Sequence, residues 1–372
     1  GIKNYGSRTI AMVRNNKEEL NRNFSEILSI HIIFSIIVIF VYLVLLFFFV
    51  EDNLVIFLIQ SIYVFAAVFD INWFFFGIEK FKLTVGRNTL VKILSVFLVL
   101  VFVKTQTDLW IYALILALSV FVGQSVVWFA LKQYVSWRRP SWANMKQHIR
   151  PLFVLFLPIL ALSLYKYMDK IMLGSISSNV QVGFYENAEK IINVPMSLIM
   201  AFGVVLMPRI ANMVTSKDKG EVFKLIDMSM EAVMLLAIAI SFGLAGISFV
   251  LAPIFFGYEF EECGILIMGL AVTVPFMAFA NVIRTQYLIP YKEDKIFVVS
   301  LFLGAAVNLI VNIILIPYMA ARGAVIGTIF AEIIVCIYQS YFVRKKIFIK
   351  KYLLNTIPPI LIGIVMFVFV FQ

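Results

Sequence analysis

Eleven apolar runs follow one another from about residue 27 to residue 371, separated by short polar segments. Crossing the hydrocarbon core of a bilayer takes a helix of about 20 residues. Backbone in lipid must satisfy its own polar groups, so only helices and closed barrels span membranes. Barrel strands alternate apolar and polar residues. These runs do not, and the pattern predicts an all-α, polytopic membrane helix bundle. The composition agrees: the chain is 62% hydrophobic and 14% charged, whereas soluble domains are roughly half apolar and about 25% charged. The first four runs are read at about 27–50, 54–76, 89–103 and 109–131. The fifth opens at Arg150-Pro151 and passes Gly174, and a turn at Gly183 is expected to lead into a sixth at 186–208. The others are read at about 225–252, 264–289, 296–316, 323–343 and 353–371.

Charge fixes the orientation. Of the 31 Lys and Arg residues, 26 fall in alternate polar segments: 1–26, 77–92, 132–150, 209–224, 284–295 and 344–351. The intervening loops are short and often acidic, as at Glu51-Asp52 and Glu259-Glu261-Glu262. Cytoplasmic loops carry the Lys/Arg excess, so the chain is expected to start inside and, after eleven spans, end outside. The net charge of +10 is then a topology signal, and no nucleic-acid partner is expected. The longest polar segment, 132–150, carries Tyr134, Trp137, Pro140 and Trp142 among its basic residues. It reads as a connector lying on anionic headgroups. The two cysteines, Cys263 and Cys336, have no metal-ligand spacing and read as unpaired packing residues.

Six residues repeat weakly: RTIAMV at 8–13 resembles RIANMV at 209–214. Each closes a run on the cytoplasmic side and precedes a long span. Six spans lie between the copies, so both have the same orientation. This implies two parallel, pseudo-symmetric halves, a pattern found in transporters. If the halves are equal, two helices preceded Gly1. The expected organisation is 1–131 for the rest of a first lobe, 132–150 for a basic linker, 151–343 for a second lobe and 344–372 for an extra helix.

Charges inside the runs are the candidate site. Lys166, Asp169 and Lys170 are spaced i, i+3, i+4 and share one helix face. A charge at mid-membrane costs about 2.5–3.5 kcal/mol on insertion scales and normally faces a partner or a watery cavity. The bland alternative is a self-neutralised pair, Asp169 with Lys166 or Lys170, that staples the bundle. Even then one positive charge is left over. Asp70, with Asn72 beside it, and Glu332 are the other carboxylates within spans. Pairing of Glu332 with Arg322 is not expected, because ten residues separate them by about 15 Å along a helix. Asn281, Arg284 and Gln286 share one span. Asn308 and Asn312, at i, i+4, read as interhelical glue. Gly323 and Gly327 form a GxxxG pattern that lets another backbone approach. His31 reads as an interfacial side chain, and Arg8 and Arg209 as helix-end caps.

Several segments carry a family likeness: NYGSRTIAMVRNNKEEL, FDINWFFFGIEKFK, YKYMDKIMLGSISSNVQVGFYENAEKI, LMPRIANM, TQYLIPYKEDK and GAAVNLIVNIILIPYMAARGAVIGTIFAE. In order and spacing the chain resembles the bacterial O-antigen type polysaccharide flippases of the multidrug/oligosaccharidyl-lipid/polysaccharide exporter superfamily. The resemblance implies twelve core helices in two lobes, of which helices three to thirteen would be present here. It also implies a bacterial cytoplasmic membrane location and an undecaprenyl-diphosphate-linked oligosaccharide, moved to the outer leaflet by alternating access.

On that footing Lys166, Lys170 and Arg284 would contact diphosphate or acidic sugars, and Asn281 and Gln286 would bond sugar hydroxyls. Asp169, Asp70 and Glu332 would tune those cations or carry a coupling ion, H+ or Na+. No metal site and no other cofactor are expected. Membrane lipids, a polysaccharide polymerase and a chain-length regulator are the candidate partners. Three alternatives stay open: a flippase for a lipid-linked peptidoglycan precursor, a drug or cation exporter, and a membrane glycosyltransferase or polymerase. A net-basic interior is expected to disfavour the exporter. Outer loops of at most about ten residues, around Ser177 to Glu186, leave little room for a catalytic domain.

Overall fold

The computed structural model describes residues 1–49, 53–215 and 219–371, and among these no β-strand occurs. The acidic loop at Glu51-Asp52 and residues 216–218 of one basic segment lie outside the described residues. Fourteen α-helices follow in order: α1 (Ile2–Val13), α2 (Lys17–Phe49), α3 (Leu54–Val68), α4 (Asn72–Gly77), α5 (Phe81–Phe102), α6 (Leu109–Leu131), α7 (Trp142–Ile176), α8 (Asn179–Thr215), α9 (Lys219–Phe256), α10 (Cys263–Ala271), α11 (Thr273–Ile283), α12 (Asp294–Met319), α13 (Ala321–Val343) and α14 (Ile349–Phe371). Among the described residues nine helices are long and apolar enough to cross a membrane, or eleven when each of two bent pairs counts as one span. Large apolar side chains such as Phe47, Phe48 and Phe129 are exposed on them, as a lipid-facing surface requires. The protein is a multi-pass membrane protein.

Helix boundaries depart from the sequence reading: α2 and α5 start at Lys17 and Phe81, ahead of the runs read from about 27 and 89, and two further departures concern the fifth and sixth runs. The first is α7, which starts at Trp142, inside the basic segment. The second is Gly183, which lies within α8; the turn is at Ser177-Ser178. Hydropathy marks where lipid contact starts, and both helices continue beyond it into polar sequence. RTIAMV ends α1 and RIANMV lies at the end of α8.

By contacts the chain divides into residues 1–159 and 160–372. The first unit has an aromatic core of Phe24, Trp73, Phe74 and Phe75, with Ile10 and Ile71 packed among them. Its third helix breaks at Phe69–Ile71, which frees carbonyls inside the apolar slab. His31 donates to Ala67 O at 2.8 Å and Trp128 Nε1 to Phe69 O at 2.9 Å. A broken helix is tolerated in a membrane when neighbours satisfy its backbone; Trp128 does so at Phe69 O, while His31 adds a donor to Ala67 O, which also accepts from the Asp70 amide at 3.1 Å. The basic connector is held to α2. Asn21 Oδ1 accepts from the Ser136 amide at 3.0 Å, Ser25 Oγ from the Arg138 amide at 2.9 Å, and Glu18 pairs with the Arg138 side chain at 2.9 Å. The expected connector lying on headgroups is, at Ser136 and Arg138, a segment bonded to protein.

The second unit is built around α9, which packs against α8, α10, α11 and α14. Its core includes Leu173, Ala188, Met196, Ala237 and Ile267. The span made of α10 and α11 bends by 40°. Pro275 has no N–H for the Ala271 carbonyl and its ring pushes that carbonyl away. Ser241 on α9 supplies the missing donor, Oγ to Ala271 O at 2.7 Å. A buried unmet carbonyl costs roughly 1–3 kcal/mol. Ser241→Ala is therefore expected to lower unfolding stability by about 1–2 kcal/mol, and by much less in a Pro275→Ala background, where residue 275 regains its amide. Equal losses in both backgrounds, measured by thermal unfolding, would refute this repair.

Candidate functional site

The charged stretch on α7 does not fold as a self-neutralised pair. Asp169 is 4% exposed, and neither lysine is its partner. Its Oδ1 accepts from Asn308 Nδ2 at 2.8 Å and Asn312 Nδ2 at 2.6 Å. Its Oδ2 accepts from the Tyr185 hydroxyl at 3.1 Å, and Thr328 Oγ1 stands 3.3 Å away. Thr328 also lies 2.8 Å from the Tyr185 hydroxyl and 3.0 Å from the Ala324 carbonyl, which competes for its single proton. Four helices, α7, α8, α12 and α13, thus converge on one carboxyl group. An ionised carboxylate is acceptor-only, and this donor set suits one. Asn308 and Asn312 do join helices, as the glue reading holds, but through Asp169. The Asn312 Oδ1 atom is buried without a hydrogen-bond partner, which leaves an oxygen beside the carboxylate.

Lys170 turns instead to α8. Its ammonium pairs with Glu186 and, at 2.7 Å, with Glu189. The expected excess of cations is smaller for this reason: two carboxylates at i, i+3 on the next helix meet the lysine. Lys166 makes no ion pair within 4 Å among the described residues, and its ammonium lies 5.6 Å from the Tyr167 ring centre.

A cavity of about 490 Å³ in the second unit is lined by Lys166, Asp169, Glu189, Asn281, Arg284, Thr328, Glu332 and Gln339, with Tyr165, Tyr185 and Phe297 on its walls. Its charges are two cations and three carboxylates, so the expectation of a net-basic interior is corrected here. Arg284 opens a turn, Arg284–Leu288, in which the Ile289 amide bonds back five residues to the Arg284 carbonyl at 3.0 Å. Such π-turns recur at functional sites. The guanidinium lies 5.3 Å from the Phe297 ring centre and its Nε is buried without a partner. Glu332 is 6% exposed and shares the cavity with Arg284. Arg322 pairs elsewhere, with Glu262 at 3.1 Å.

Of the sequence-derived candidates, Lys166, Asp169, Asn281, Arg284 and Glu332 line this one cavity, while Lys170 and Gln286 are not among its walls. Gln286 is fully buried with both amide atoms unpartnered. Asp70 belongs to the first unit, at the break between α3 and α4. It accepts from the Asn72 amide at 3.0 Å and the Asn72 side chain at 2.6 Å, and Asn72 in turn bonds Gln124 and Arg87. Sequence reasoning missed Tyr185, Glu189 and Tyr165. Only the helical spacing of Glu186 and Glu189 hinted at a shared partner. Among the described residues no cluster of three His, Cys, Asp or Glu side chains could hold a metal ion.

A polar, mixed-charge cavity thus lies within the second unit of this multi-pass helix bundle. The chain is similar in structure to the lipid II flippase MurJ in an inward closed conformation, with a TM-score of 0.77 at 14% identity over 100% of this chain and 84% of that one. It is also similar to an outward-facing multidrug resistance MATE family transporter, with a TM-score of 0.58 at 14% identity over 93% and 83%. Residues 1–214 match the family described as polysaccharide biosynthesis protein, and the chain belongs to that family. The "Putative O-antigen transporter" of Shigella dysenteriae is 25% identical over 91% of this chain and 86% of its own length. The lipid II flippase MurJ of Bacillus subtilis (strain 168) is 28% identical over 55% of this chain and 41% of its own length.

Proposed function

We propose that this protein is a flippase. It moves undecaprenyl-diphosphate-linked oligosaccharide units from the cytoplasmic to the outer leaflet by alternating access, and it is not an enzyme. The observation that carries the reading is the polar cavity of the second unit, where among the described residues Lys166 and Arg284 make no ion pair within 4 Å and stand beside polar amides. Two such cations can hold a diphosphate, and Asn281 can bond sugar hydroxyls. The likeness to the Shigella protein over nearly the whole chain supports the same reading. Asp169, with the spare Asn312 oxygen and the Thr328 hydroxyl beside it, is the group we assign to the coupling ion, H+ or Na+. Lys170 acts by ordering α7 against α8, and Glu332 balances Arg284. A polysaccharide polymerase and a chain-length regulator would take the product onward.

A second reading is favoured by the MurJ likeness: the cargo could be a lipid-linked peptidoglycan precursor, which carries the same diphosphate. Expression in strains lacking either flippase separates the two. Restored surface polysaccharide and cleared lipid-linked intermediates are expected in the first strain, with no rescue of growth in the second. Charged hydrogen bonds are worth about 1.5–3 kcal/mol, so Lys166→Ala and Arg284→Ala should each reduce export about tenfold or more at unchanged membrane level. Full export by both variants would remove these cations from the mechanism.

A further inference from the structure

The first unit holds a second buried ionisable cluster, outside the cavity. Tyr5 of α1, Glu26 of α2 and His148 of α7 are 7%, 1% and 3% exposed. The Tyr5 hydroxyl lies 2.6 Å from His148 Nδ1, and His148 Nε2 lies 2.9 Å from Glu26 Oε2. The other oxygen, Glu26 Oε1, is buried with no hydrogen-bond partner. With Tyr5 donating to Nδ1 and Nε2–H donating to Glu26, the imidazole is neutral and the cluster carries one negative charge. One added proton on the His148–Glu26 pair makes the cluster neutral overall. A buried net charge is costly and a paired one far less so.

The surroundings give that proton a consequence. On the same helix, α2, Asn21 and Ser25 bind the Ser136 and Arg138 amides of the connector, on a face adjoining the one that carries Glu26. His148 lies further along the same connection, six residues into α7. This is the stretch by which the chain leaves the first unit for the second. Of the charged residues on the packed elements, Arg22, one turn before Glu26 on α2, is exposed. The Arg8 guanidinium lies 5.9 Å from the Tyr5 ring centre, and Glu18 is engaged by Arg138. Lys146 and Arg150, flanking His148, are exposed. The short helix α4, which packs on α1, contributes no charged side chain.

We propose that Tyr5, His148 and Glu26 form a proton-binding site that latches the connector to α2. With the proton bound, the imidazolium–carboxylate pair holds α7 against α2. On its loss, Glu26 is an uncompensated buried anion, and the connector amides lose their shelter. This goes beyond the transport reading and does not depend on the cargo.

The test uses purified protein in lipid nanodiscs. The chain has two histidines, so ¹⁵N-histidine labelling gives two imidazole spectra, and His148→Gln assigns them. The His148 imidazole spectrum is followed across a series from about pH 5 to about pH 9. Where it records loss of the cluster's proton, protection of the Ser136 and Arg138 amides should fall about tenfold beyond the intrinsic rise in exchange. Glu26→Gln, which keeps the shape but cannot carry the charge, should abolish the protection step. Wild-type measurements alone suffice should that variant fail to fold. An imidazole unchanged across the range, connector amides indifferent to its titration, or a protection step that survives Glu26→Gln would each overturn the proposal.

Discussion

Asp169→Leu is expected to be the most damaging single change in the second unit, lowering unfolding stability by about 2–4 kcal/mol. The reason lies in what is left behind. The carboxylate meets amide or hydroxyl groups from Asn308, Asn312, Tyr185 and Thr328. Interhelical hydrogen bonds in membranes average only about 0.6 kcal/mol each, which sets the lower bound. Buried donors stranded without an acceptor cost about 1–3 kcal/mol each, which sets the upper one. Only part of the shell is stranded, because Thr328 keeps the Ala324 carbonyl and the Tyr185 hydroxyl keeps Thr328. Removing donors together with the acceptor should restore stability, so Asp169→Leu with Asn308→Leu and Asn312→Leu is expected to unfold later than Asp169→Leu alone. Transport should still be absent in the triple variant if Asp169 carries the coupling ion. Thermal unfolding in detergent and export in cells check the two parts separately. Additive destabilisation in the triple variant would show that the four groups do not act as one shell.

How the chain announced this site is instructive. The three charges of α7 were legible because an apolar run of membrane length makes any charge conspicuous. Their partners were not, since Asn308, Asn312 and Thr328 lie 139 to 159 residues further on and periodicity within one helix says nothing of which helix it will face. The same limit hid the Glu186–Lys170–Glu189 cluster, which made the interior look more basic than it is. Span number was accessible from hydropathy, whereas helix starts at Trp142 and Asn179 were not, because lipid transfer energy is silent about polar helix ends. His148 was passed over for a related reason. It sits in a basic segment that reads as surface, yet is buried by α1 and α2. The broken third helix was equally invisible, since the donor that meets its Phe69 carbonyl, Trp128, comes from elsewhere in the first unit.

The GxxxG pattern of α13 gives the second large effect, and its sign is the test. At an exposed helical position Gly→Ala stabilises by about 1 kcal/mol. At Gly323 the added Cβ would lie 2.7 Å from the Leu315 carbonyl carbon and oxygen, which are backbone and cannot rotate away. The opposing segment is held close because one residue, Ala320 at φ +47°, joins α12 to α13. Gly323→Ala is therefore expected to destabilise by about 1–3 kcal/mol, with Gly323→Leu failing to fold. At Gly327 the obstruction is a side chain, the Asn312 amide. That amide can move, so Gly327→Ala should cost less stability than Gly323→Ala. Moving it withdraws a donor from Asp169, however, so export should fall further than stability predicts. Adding Asn312→Ala to Gly327→Ala should relieve the clash and recover stability without recovering export. A Gly323→Ala protein that melts at a higher temperature than the wild type would show that α12 and α13 do not approach at this point. The way α13 presents Thr328 to Asp169 would then need a different geometry.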